Sequence, residues 1–592
     1  MRKATLRIVL ILMGSTTTCM DAAAQEEYVT FGEEGQTGIG QDELIDLTMD
    51  AEDVNEAQYE RFMEQMYDRQ PEHYVLVQAN SRMKRNEEYV GDAWHETIRY
   101  GYTRQDSTHR TWKAGLVMDK DAGERWRKRM PWADSFSLYA ATERNRGWLR
   151  QAIVGHYRVR MGSGLMCNQQ FALGKNVAGT MFMQNTKAIT PHASASEDDY
   201  MQGAATRIRM GNHLEITAFA SARQIDGTLR NDTLTAWSTG GYHRTPNELK
   251  KRNASWISNA GTTLSVMGEW YRIGANVLYT QLQHTYHRTI RTDNRNAFRG
   301  HELLQGSVDY EARLPGLHLK GETAMDDHGG WATIDAMKGH LTTDWTATAM
   351  YRRYSNTYRQ IMGSSVAESS AMQGETGVTL QAEGPLTRHL SLNLTADWFH
   401  FSAPQYGMAQ PSDGYELSGK MTYAASATDA RLQQVTVTYR LKQKRKNDTL
   451  TKDPTDLTAY FRHTINATAL WNMGYGLTLK TQARGRMYSA QNTGGLESGW
   501  LVSQQATWQH RRKPLRMDAQ VTYFRTDNYE TRVYLSEHNP LYVFNMPMLY
   551  GKGQRYTFAL NYKPARRFSA EAKYAYTTTR GNEVWGGVKL KM

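Results

Sequence analysis

Apolar and polar residues alternate through long stretches of this sequence, and the polar positions carry full charges of both signs. In "TRIRMGNHLEITAFAS", residues 206–221, apolar side chains alternate with Arg207, Arg209 and Glu215 on the two sides of a Gly-Asn turn. A period of two is the pattern of a β-strand with one apolar face. The stretch therefore predicts two paired strands whose apolar faces meet either a core or lipid.

The length of the turn decides how these two strands face. A turn of three residues, 211–213, pairs Met210 with Leu214 and Ile208 with Ile216, which puts both apolar sets on one face. A turn shorter by one residue would put them on opposite faces. Three-residue hairpin turns with a bulge are common, so we predict the three-residue turn.

The same alternation recurs along the chain, and turn residues separate its copies. The further stretches are residues 303–322, 415–425, 477–488, 515–523 and 555–563. In the first of these, a two-residue turn at Pro315 and Gly316 gives the consistent register. Charged side chains on the polar face would be costly in the core of a β-sandwich. In a membrane barrel, that face lines a wet lumen while the apolar face meets lipid.

The connections also alternate between short and long, as in outer-membrane barrels. The long ones are residues 162–201, 225–257, 285–301, 354–371, 401–413, 445–455 and 528–554. Counting strands back from Met592 places the first strand near residues 73–82. The sequence thus predicts an all-β, transmembrane antiparallel barrel of about 24 strands (22–24), residues 73–592. A secreted propeller is the alternative, but no repeat of 40–50 residues supports it.

The N-terminus reads as an export signal. Three basic residues in the first seven positions precede an apolar run at 8–13, and Ala22 to Ala24 offer a cleavage site. Residues 1–24 are therefore predicted to be a signal peptide, and the barrel is expected in the cell outer membrane. Cys19 suggests a lipoprotein instead, although the threonines before it fit that motif poorly. After cleavage only Cys167 remains, so no internal disulfide is expected.

An acidic arm precedes a basic body. Residues 25–72 contain 15 Asp and Glu but only Arg61 and Arg69, a net charge of −13. Because the whole chain carries +11 and the signal peptide +2, residues 73–592 carry +22. Apolar residues at helical spacing over 59–67, ended by Pro71, predict one helix in the arm. The arm is interpreted as a periplasmic tether, an electrostatic plug in the barrel mouth, or a helix that binds a periplasmic partner.

Several stretches carry a family resemblance, namely "GHYRVRMGSGLMCNQQFALGKN", "YMQGAATRIRMGNHLEITAFASARQIDG", "GETAMDDHGGWA", "ETRVYLSEHNPLYVF" and "LYGKGQRYTFALNYKP". They resemble segments of Bacteroidota outer-membrane barrels that carry periplasmic helix-hairpin-helix repeats. The resemblance implies an outer-membrane barrel whose molecular activity is largely unassigned. The arm lacks such repeats, and its negative charge would repel phosphate, so nucleic acid is not an expected partner. The arm is also too small for the plug of a TonB-dependent transporter.

No catalytic, cofactor or metal site is predicted. Asp326, Asp327 and His328 could in principle activate water as acid and His pairs do in outer-membrane proteases. A contiguous tripeptide before two glycines is more typical of a solvated turn. Gly162–Gly164 is interpreted as a flexible strand end, and Cys167 is interpreted as a packed or lipid-facing thiol. The sequence has no nucleophile elbow, zincin motif or Cys/His zinc spacing. The chain is therefore not expected to be an enzyme.

The predicted lumen is the candidate site. If the apolar faces point outward, these basic side chains point inward: Arg158, Arg160, Arg207, Arg209, Lys320, Arg440, Lys442, Lys480, Arg484, Arg486 and Arg516. Their acidic companions are Glu215, Glu311, Glu322, Glu416, Asp518 and Glu571. An excess of positive charge would concentrate anions in the pore. Alternatively, the charges only pair across the lumen and keep the barrel rigid.

These features predict an outer-membrane channel or transporter for a polar, anionic solute. The alternative is a non-conducting barrel that anchors or receives a partner in envelope biogenesis or surface assembly. The expected partners are membrane lipid, lipopolysaccharide and the barrel-assembly machinery, although Met592 replaces the usual terminal aromatic residue. "NDTL" occurs twice and resembles an O-glycosylation sequon of Bacteroidota, which would modify Thr233 and Thr449.

Overall fold

The computed structural model describes residues 73–82, 87–126, 132–170, 187–369, 371–425, 431–451, 453, 455–543 and 545–592. The predicted signal peptide, the acidic arm with its helix, and Cys19 lie outside these residues. In the described part of the chain there is one short α-helix, α1 (Pro246–Leu249), and no helix is long and apolar enough to cross a membrane.

Strands account for nearly all of the regular structure. In chain order they are β1 His73–Ser81, β2 Trp94–Gln105, β3 Thr111–Lys120, β4 Ser135–Glu143, β5 Leu149–Val159, β6 Ile189–Pro191, β7 Met201–Met210, β8 Leu214–Arg230, β9 Thr233–Ser238, β10 Ser255–Met267, β11 Tyr271–Tyr286, β12 Gly300–Leu314, β13 Leu317–Asp326, β14 Trp331–His340, β15 Thr346–Tyr354, β16 Glu375–Thr387, β17 Leu390–Phe401, β18 Ser412–Ala424, β19 Leu432–Asn447, β20 Leu457–Gly474, β21 Leu477–Ala490, β22 Leu496–Gln509, β23 Leu515–Thr526, β24 Val533–Tyr534, β25 Met548–Leu549, β26 Lys552–Ala565, β27 Phe568–Thr577 and β28 Gly581–Lys591.

Twenty-four of these strands close into one barrel within the described residues, as predicted. Each wall strand pairs antiparallel with the next, and β1 pairs with β28 to complete the ring, Tyr74 opposite Lys591. The other four, β6, β9, β24 and β25, lie in connections. Of these, β9 pairs antiparallel with β8 and parallel with β11, so the sheet is mixed at this one place.

The registers follow from the alternation. Met210 is opposite Leu214 and Ile208 opposite Ile216, which confirms the three-residue turn between β7 and β8. Gly211 occupies that turn with φ +61°, a left-handed conformation that glycine adopts at little cost. The two-residue turn between β12 and β13 is also confirmed, because the last residue of β12 pairs with the first of β13.

The barrel has two unlike rims. The connections β7–β8, β12–β13, β20–β21 and β26–β27 span only two or three residues and lie at one end, here called the short-turn rim. Both His73 and Met592 lie at this rim, where the amide of Met592 donates to the carbonyl of His73 at 2.9 Å. The long connections lie at the opposite end, here called the long-loop rim.

The outward face of the barrel is apolar. Exposed aliphatic and aromatic side chains occupy alternate positions along the wall strands, and they include Leu304, Val308, Met325, Leu380, Trp398, Leu417, Ile465, Val502, Val521 and Phe558. The positions between them are buried and mostly polar. A closed barrel with an apolar outer face is the architecture of outer-membrane proteins. The protein is therefore an outer-membrane β-barrel.

Candidate functional site

Nine of the eleven predicted lumen residues alternate with the outward apolar positions and so face inward: Arg207, Arg209, Lys320, Arg440, Lys442, Lys480, Arg484, Arg486 and Arg516. Arg160 follows the end of β5 and lies within electrostatic range of Glu322. Arg158 does not share the inward face of β5, contrary to the prediction. It alternates with Tyr157 and Val159, which belong to an apolar core inside the barrel, and its Nε donates to the carbonyl of Asp199 at 3.2 Å.

Three adjacent strands concentrate the positive charge. β19, β20 and β21 contain no Asp or Glu and nine Lys or Arg. Eight of the nine lie on inward positions and form what we call the basic wall: Arg440, Lys442, Lys444, Lys446, Arg462, Lys480, Arg484 and Arg486. Lys442 and Arg462 are direct cross-strand partners. Like charges at such positions repel and destabilise the pairing unless a negative group lies near them.

Among the described residues, three carboxylates from outside these strands contact the basic wall. Glu416 on β18 lies 2.6 Å from Arg440, and Glu368 lies 2.5 Å from Lys442. Glu530 lies 3.1 Å from Arg462. The wall together with these three carboxylates remains positively charged.

On the nearby strands β15–β17, one buried inward base contacts two buried acids. Arg352 is fully buried and donates to Glu375 at 2.7 Å and to Asp397 at 2.7 Å and 3.1 Å. The guanidinium also donates to the hydroxyl of Thr379 at 3.1 Å. The alternative expectation was that inward charges pair across the lumen; in this cluster they pair between adjacent strands.

One connection from the long-loop rim folds into the lumen and binds the carboxylate of Glu322 on β13. In residues 160–170, here called the 160–170 segment, the amides of Ser163 and Leu165 donate to Glu322 at 2.6 Å and 3.2 Å. Ser307 donates to the other carboxylate oxygen at 2.8 Å. A Cβ at Gly162 would lie 2.6 Å from the Glu322 carboxyl carbon. The Gly-Ser-Gly stretch is therefore a turn shaped around Glu322, and its interpretation as a flexible strand end was wrong.

A second connection, here called the 355–369 segment, covers the first. Tyr358 donates to the carbonyl of Leu165 at 3.0 Å, and the amide of Ser364 donates to the carbonyl of Gly164 at 3.0 Å. Apolar side chains of both segments pack against inward-facing residues of β8, β10 and β11, among them Leu165, Met166, Tyr358, Met362, Phe219, Ile225, Ile257, Leu278 and Leu282. Each such buried Leu or Met contributes about 1.5–3 kcal/mol, so this part of the lumen is a packed core.

A third connection crosses the other side of the lumen. In residues 531–543, here called the 531–543 segment, Glu537 is fully buried between Arg555 and Lys573, with contacts of 2.9 Å and 2.6 Å. The amide of Leu541 donates to Glu571 at 2.7 Å, and its carbonyl accepts from Gln78 at 2.6 Å. The segment thus reaches from the long-loop rim to β27 and β1.

The same segment borders the basic wall. Gln482 and Gln520 both donate to the carbonyl of Ser536 at 3.0 Å, and Arg484 donates to the carbonyl of Tyr534 at 3.0 Å. Many inward polar side chains therefore meet protein rather than bulk water, contrary to the expectation of a wet lumen throughout. The reason is that the three connections described above fold into the lumen and contact these side chains.

The remaining sequence candidates have structural roles. Asp326 accepts from the amides of His328, Gly330 and Arg359, so it organises a turn, while His328 and Asp327 contact each other at 2.6 Å in an exposed position. Cys167 is fully buried in the core formed by the 160–170 segment, and burial raises the pKa of its thiol. The thiol is packed inside the barrel rather than lipid-facing.

Among the described residues, three groups of His and acids at the long-loop rim are close enough to share a metal ion: His95, Asp119 and Asp121; Glu124, Asp134 and His243; Asp326, Asp327 and His328. In each group the His already contacts a carboxylate. Burial lowers the pKa of His243, but the carboxylates of Asp134 and Asp226 outweigh it and raise the pKa to about 10. His243 is therefore a buried cation that stabilises the rim.

Both predicted glycosylation residues lie at the long-loop rim. Thr233 is the first residue of β9, and Thr449 is exposed between β19 and β20.

Comparisons with known proteins identify distant structural neighbours. No family profile matches the chain, and no curated protein sequence matches it. A mutant of the ferric enterobactin receptor PfeA from Pseudomonas aeruginosa shares 9% identity, with 88% of this chain and 80% of that chain covered and a TM-score of 0.43. The siderophore receptor PirA from Acinetobacter baumannii shares 7%, with 88% and 81% covered and a TM-score of 0.45. The FrpB iron transporter from Neisseria meningitidis shares 9%, with 90% and 83% covered and a TM-score of 0.41. These values are too low to transfer a function to this chain.

Proposed function

We propose that this outer-membrane barrel conducts a polar, anionic solute along the basic wall. The observation that supports this proposal is the wall itself, three adjacent strands without an acid that carry eight inward basic side chains. A cleft lined by one sign of charge raises the local concentration of the opposite ion. The 160–170 and 531–543 segments narrow the lumen, and the 531–543 segment borders the wall.

Charge neutralisation on the wall tests this proposal. In the K480Q/R484Q/R486Q variant, the anion-to-cation permeability ratio in planar bilayers should fall roughly tenfold, because the wall loses much of its field. The matched control is R511Q/R512Q/K513Q, which removes one Lys and two Arg from an exposed turn at the short-turn rim. An equal change in both variants, or none in the first, would reject the wall as the path.

A non-conducting barrel that anchors a partner is the second candidate. The 160–170 and 531–543 segments favour this candidate, because buried hydrogen bonds or ion pairs hold the first segment to β13 and the second to β26 and β27. A closed lumen would direct function to the rims, where residues 25–72 could reach a periplasmic protein. Absence of conductance from a correctly folded barrel, shown by heat-modifiable gel mobility, would support this candidate over the first.

O-glycosylation of Thr233 and Thr449 is a separate proposal. It rests on the sequon resemblance and on the position of both residues at the long-loop rim. Intact-mass measurement of the protein purified from a Bacteroidota host would test it. A mass equal to that of the bare chain would reject it.

A further inference from the structure

A carboxylate lies on the outward face of the barrel, in the middle of a strand. Asp335 is the fifth of the ten residues of β14, and it is two residues from Met337, which is 48% exposed, so both side chains point outward. Ten residues at about 3.4 Å each, tilted by about 45°, span a height of roughly 24 Å, close to the apolar band of an outer-membrane barrel. Asp335 therefore faces the middle of the membrane.

Hydroxyl groups of the same outward face surround this carboxylate. Tyr310 on β12 donates to one oxygen of Asp335 at 2.9 Å, and Thr333 donates to the other at 3.1 Å. The hydroxyl of Thr323 on β13 lies 2.8 Å from that of Thr333. Gly321 leaves the space for the cluster, because a Cβ there would overlap the carboxylate and the tyrosine ring. We call Asp335, Tyr310, Thr323 and Thr333 the outer polar patch.

Lipid tails cannot form hydrogen bonds with the outer polar patch. Within the described residues, the carboxylate of Asp335 contacts the two hydroxyls and no Lys or Arg side chain. A charged side chain that faces lipid at mid-membrane costs free energy, and ionisable residues at such depth usually serve a function. Thr323 is exposed as well, so a hydroxyl donor and a carboxylate acceptor are both available to a second protein surface.

An apolar groove extends from the patch toward the short-turn rim. Its volume is about 650 Å³, and alanines alternate with larger side chains across it. Ala349 is opposite Met337 on one neighbouring strand and Leu380 on the other, and Ala382 is opposite Leu394. Small side chains let two membrane-embedded surfaces approach closely. The groove can therefore receive large apolar side chains from a neighbouring protein.

Symmetry indicates which neighbour fits. Two copies of this barrel in one membrane have the same orientation, so the axis that relates them is parallel to the membrane normal and each residue meets residues at its own depth. The outer polar patch holds its acceptor and its donors close together, because Thr323 is opposite Thr333 and Gly321 is opposite Asp335. A surface with both kinds of group at one depth is complementary to itself.

We propose that this face is an interface between two copies of the chain. Hydroxyls of one outer polar patch donate to the Asp335 carboxylate of the other, and each groove receives Leu and Met side chains of the other copy. The interface lies on the outside of β12–β17 and does not depend on what the lumen conducts.

Cross-linking between copies in native outer membranes tests this interface. In T323C, a short bifunctional maleimide should give at least about tenfold more covalent dimer than in T481C, because the interface raises the local concentration of the second thiol. Thr481 is the matched control, an outward threonine on β21, eight strands along the wall, that donates to Gln504 at 2.8 Å. Cys167 is fully buried and does not contribute.

Removal of the acceptor tests the role of the carboxylate. D335L should raise the dissociation constant of the dimer in mild detergent at least about tenfold, because hydrogen bonds to a charged group are stronger than those to a neutral one. Q504L is the matched control, since it removes a neutral outward polar group that is bonded to Thr481, and it should leave the dissociation constant unchanged. D335L removes a charge from the lipid face and so should not impair folding, which heat-modifiable gel mobility checks.

The interface requires both results together, a covalent dimer specific to T323C and a dimer weakened by D335L. Equal cross-linking in T323C and T481C would overturn it, as would a dissociation constant that ignores D335L. Cross-linking of T323C to a different protein would reject a second copy as the occupant, and a monomer in native membranes would reject the interface outright.

Discussion

Glu537 is the residue whose loss should most clearly release the 531–543 segment. Its carboxylate accepts two hydrogen bonds of 2.9 Å from Arg555, one of 2.6 Å from Lys573 and one of 3.1 Å from Thr557, and it is fully buried. Glu583 is the second acid of this cluster, 2.9 Å from Arg555. Two acids therefore balance two bases, and Glu537→Gln leaves one buried positive charge without compensation.

The size of the effect follows from this imbalance. Glutamine has nearly the same volume as glutamate, so the substitution creates no cavity and acts through charge and hydrogen bonding. Removing one partner of a buried ion pair costs about 3–5 kcal/mol. At 1.4 kcal/mol per tenfold change, local opening of the segment becomes roughly 140- to 3,700-fold more frequent.

Hydrogen exchange measured by mass spectrometry provides the assay. Peptides that cover the 531–543 segment should exchange faster by about two to three orders of magnitude in Glu537→Gln. Glu583→Gln is the matched control, because it removes the other acid of the cluster from β28 and not from the segment. Unchanged exchange in Glu537→Gln, or equal acceleration of the segment in both variants, would refute the reasoning.

Three further predictions concern other parts of the barrel. Arg352→Met leaves two buried carboxylates without their counter-charge and should lower the free energy of unfolding by about 3–5 kcal/mol. The heat-modifiable gel transition should then occur at a lower temperature. Arg353→Met, on the outward face, should leave the transition temperature nearly unchanged. The pKa of His243 is raised, so its stabilisation is complete below about pH 6.5 and is lost as the pH rises through about 10. Amide hydrogen exchange near α1, corrected for the pH dependence of intrinsic exchange rates, should therefore accelerate above pH 10 in the unsubstituted protein. The same acceleration should be missing in His243→Gln. Cys167 should resist maleimide in the folded barrel and react after heating, and rapid labelling of the native protein would contradict its burial.

The wall of the barrel could be predicted from the sequence because alternation determines both strand and face. The pairing of Met210 with Leu214 follows from the need to keep two apolar sets on one face. The strand count follows from the regular succession of short turns and long connections. Nine inward basic residues, including Arg484 and Arg486, were identified by the same rule, whereas others, such as Arg352 and Arg462, were not.

The filling of the lumen could not be predicted in the same way. Glu537 stands in a connection without periodicity, and its partners Arg555 and Lys573 are brought to it only by the closed barrel. The rule that apolar faces point outward also fails beside a packed lumen. Tyr157 and Val159 face inward to the core around the 160–170 segment, and for that reason Arg158 was misplaced.

The conductance of the mature protein, residues 25–592, in planar bilayers tests the central claim most directly, alongside a chain that begins at Glu72 and keeps every wall strand. An anion path along the basic wall predicts anion-selective steps from both chains. No conductance from either chain, with both shown to be folded by heat-modifiable gel mobility, would contradict the conduit and leave the anchoring barrel as the better account.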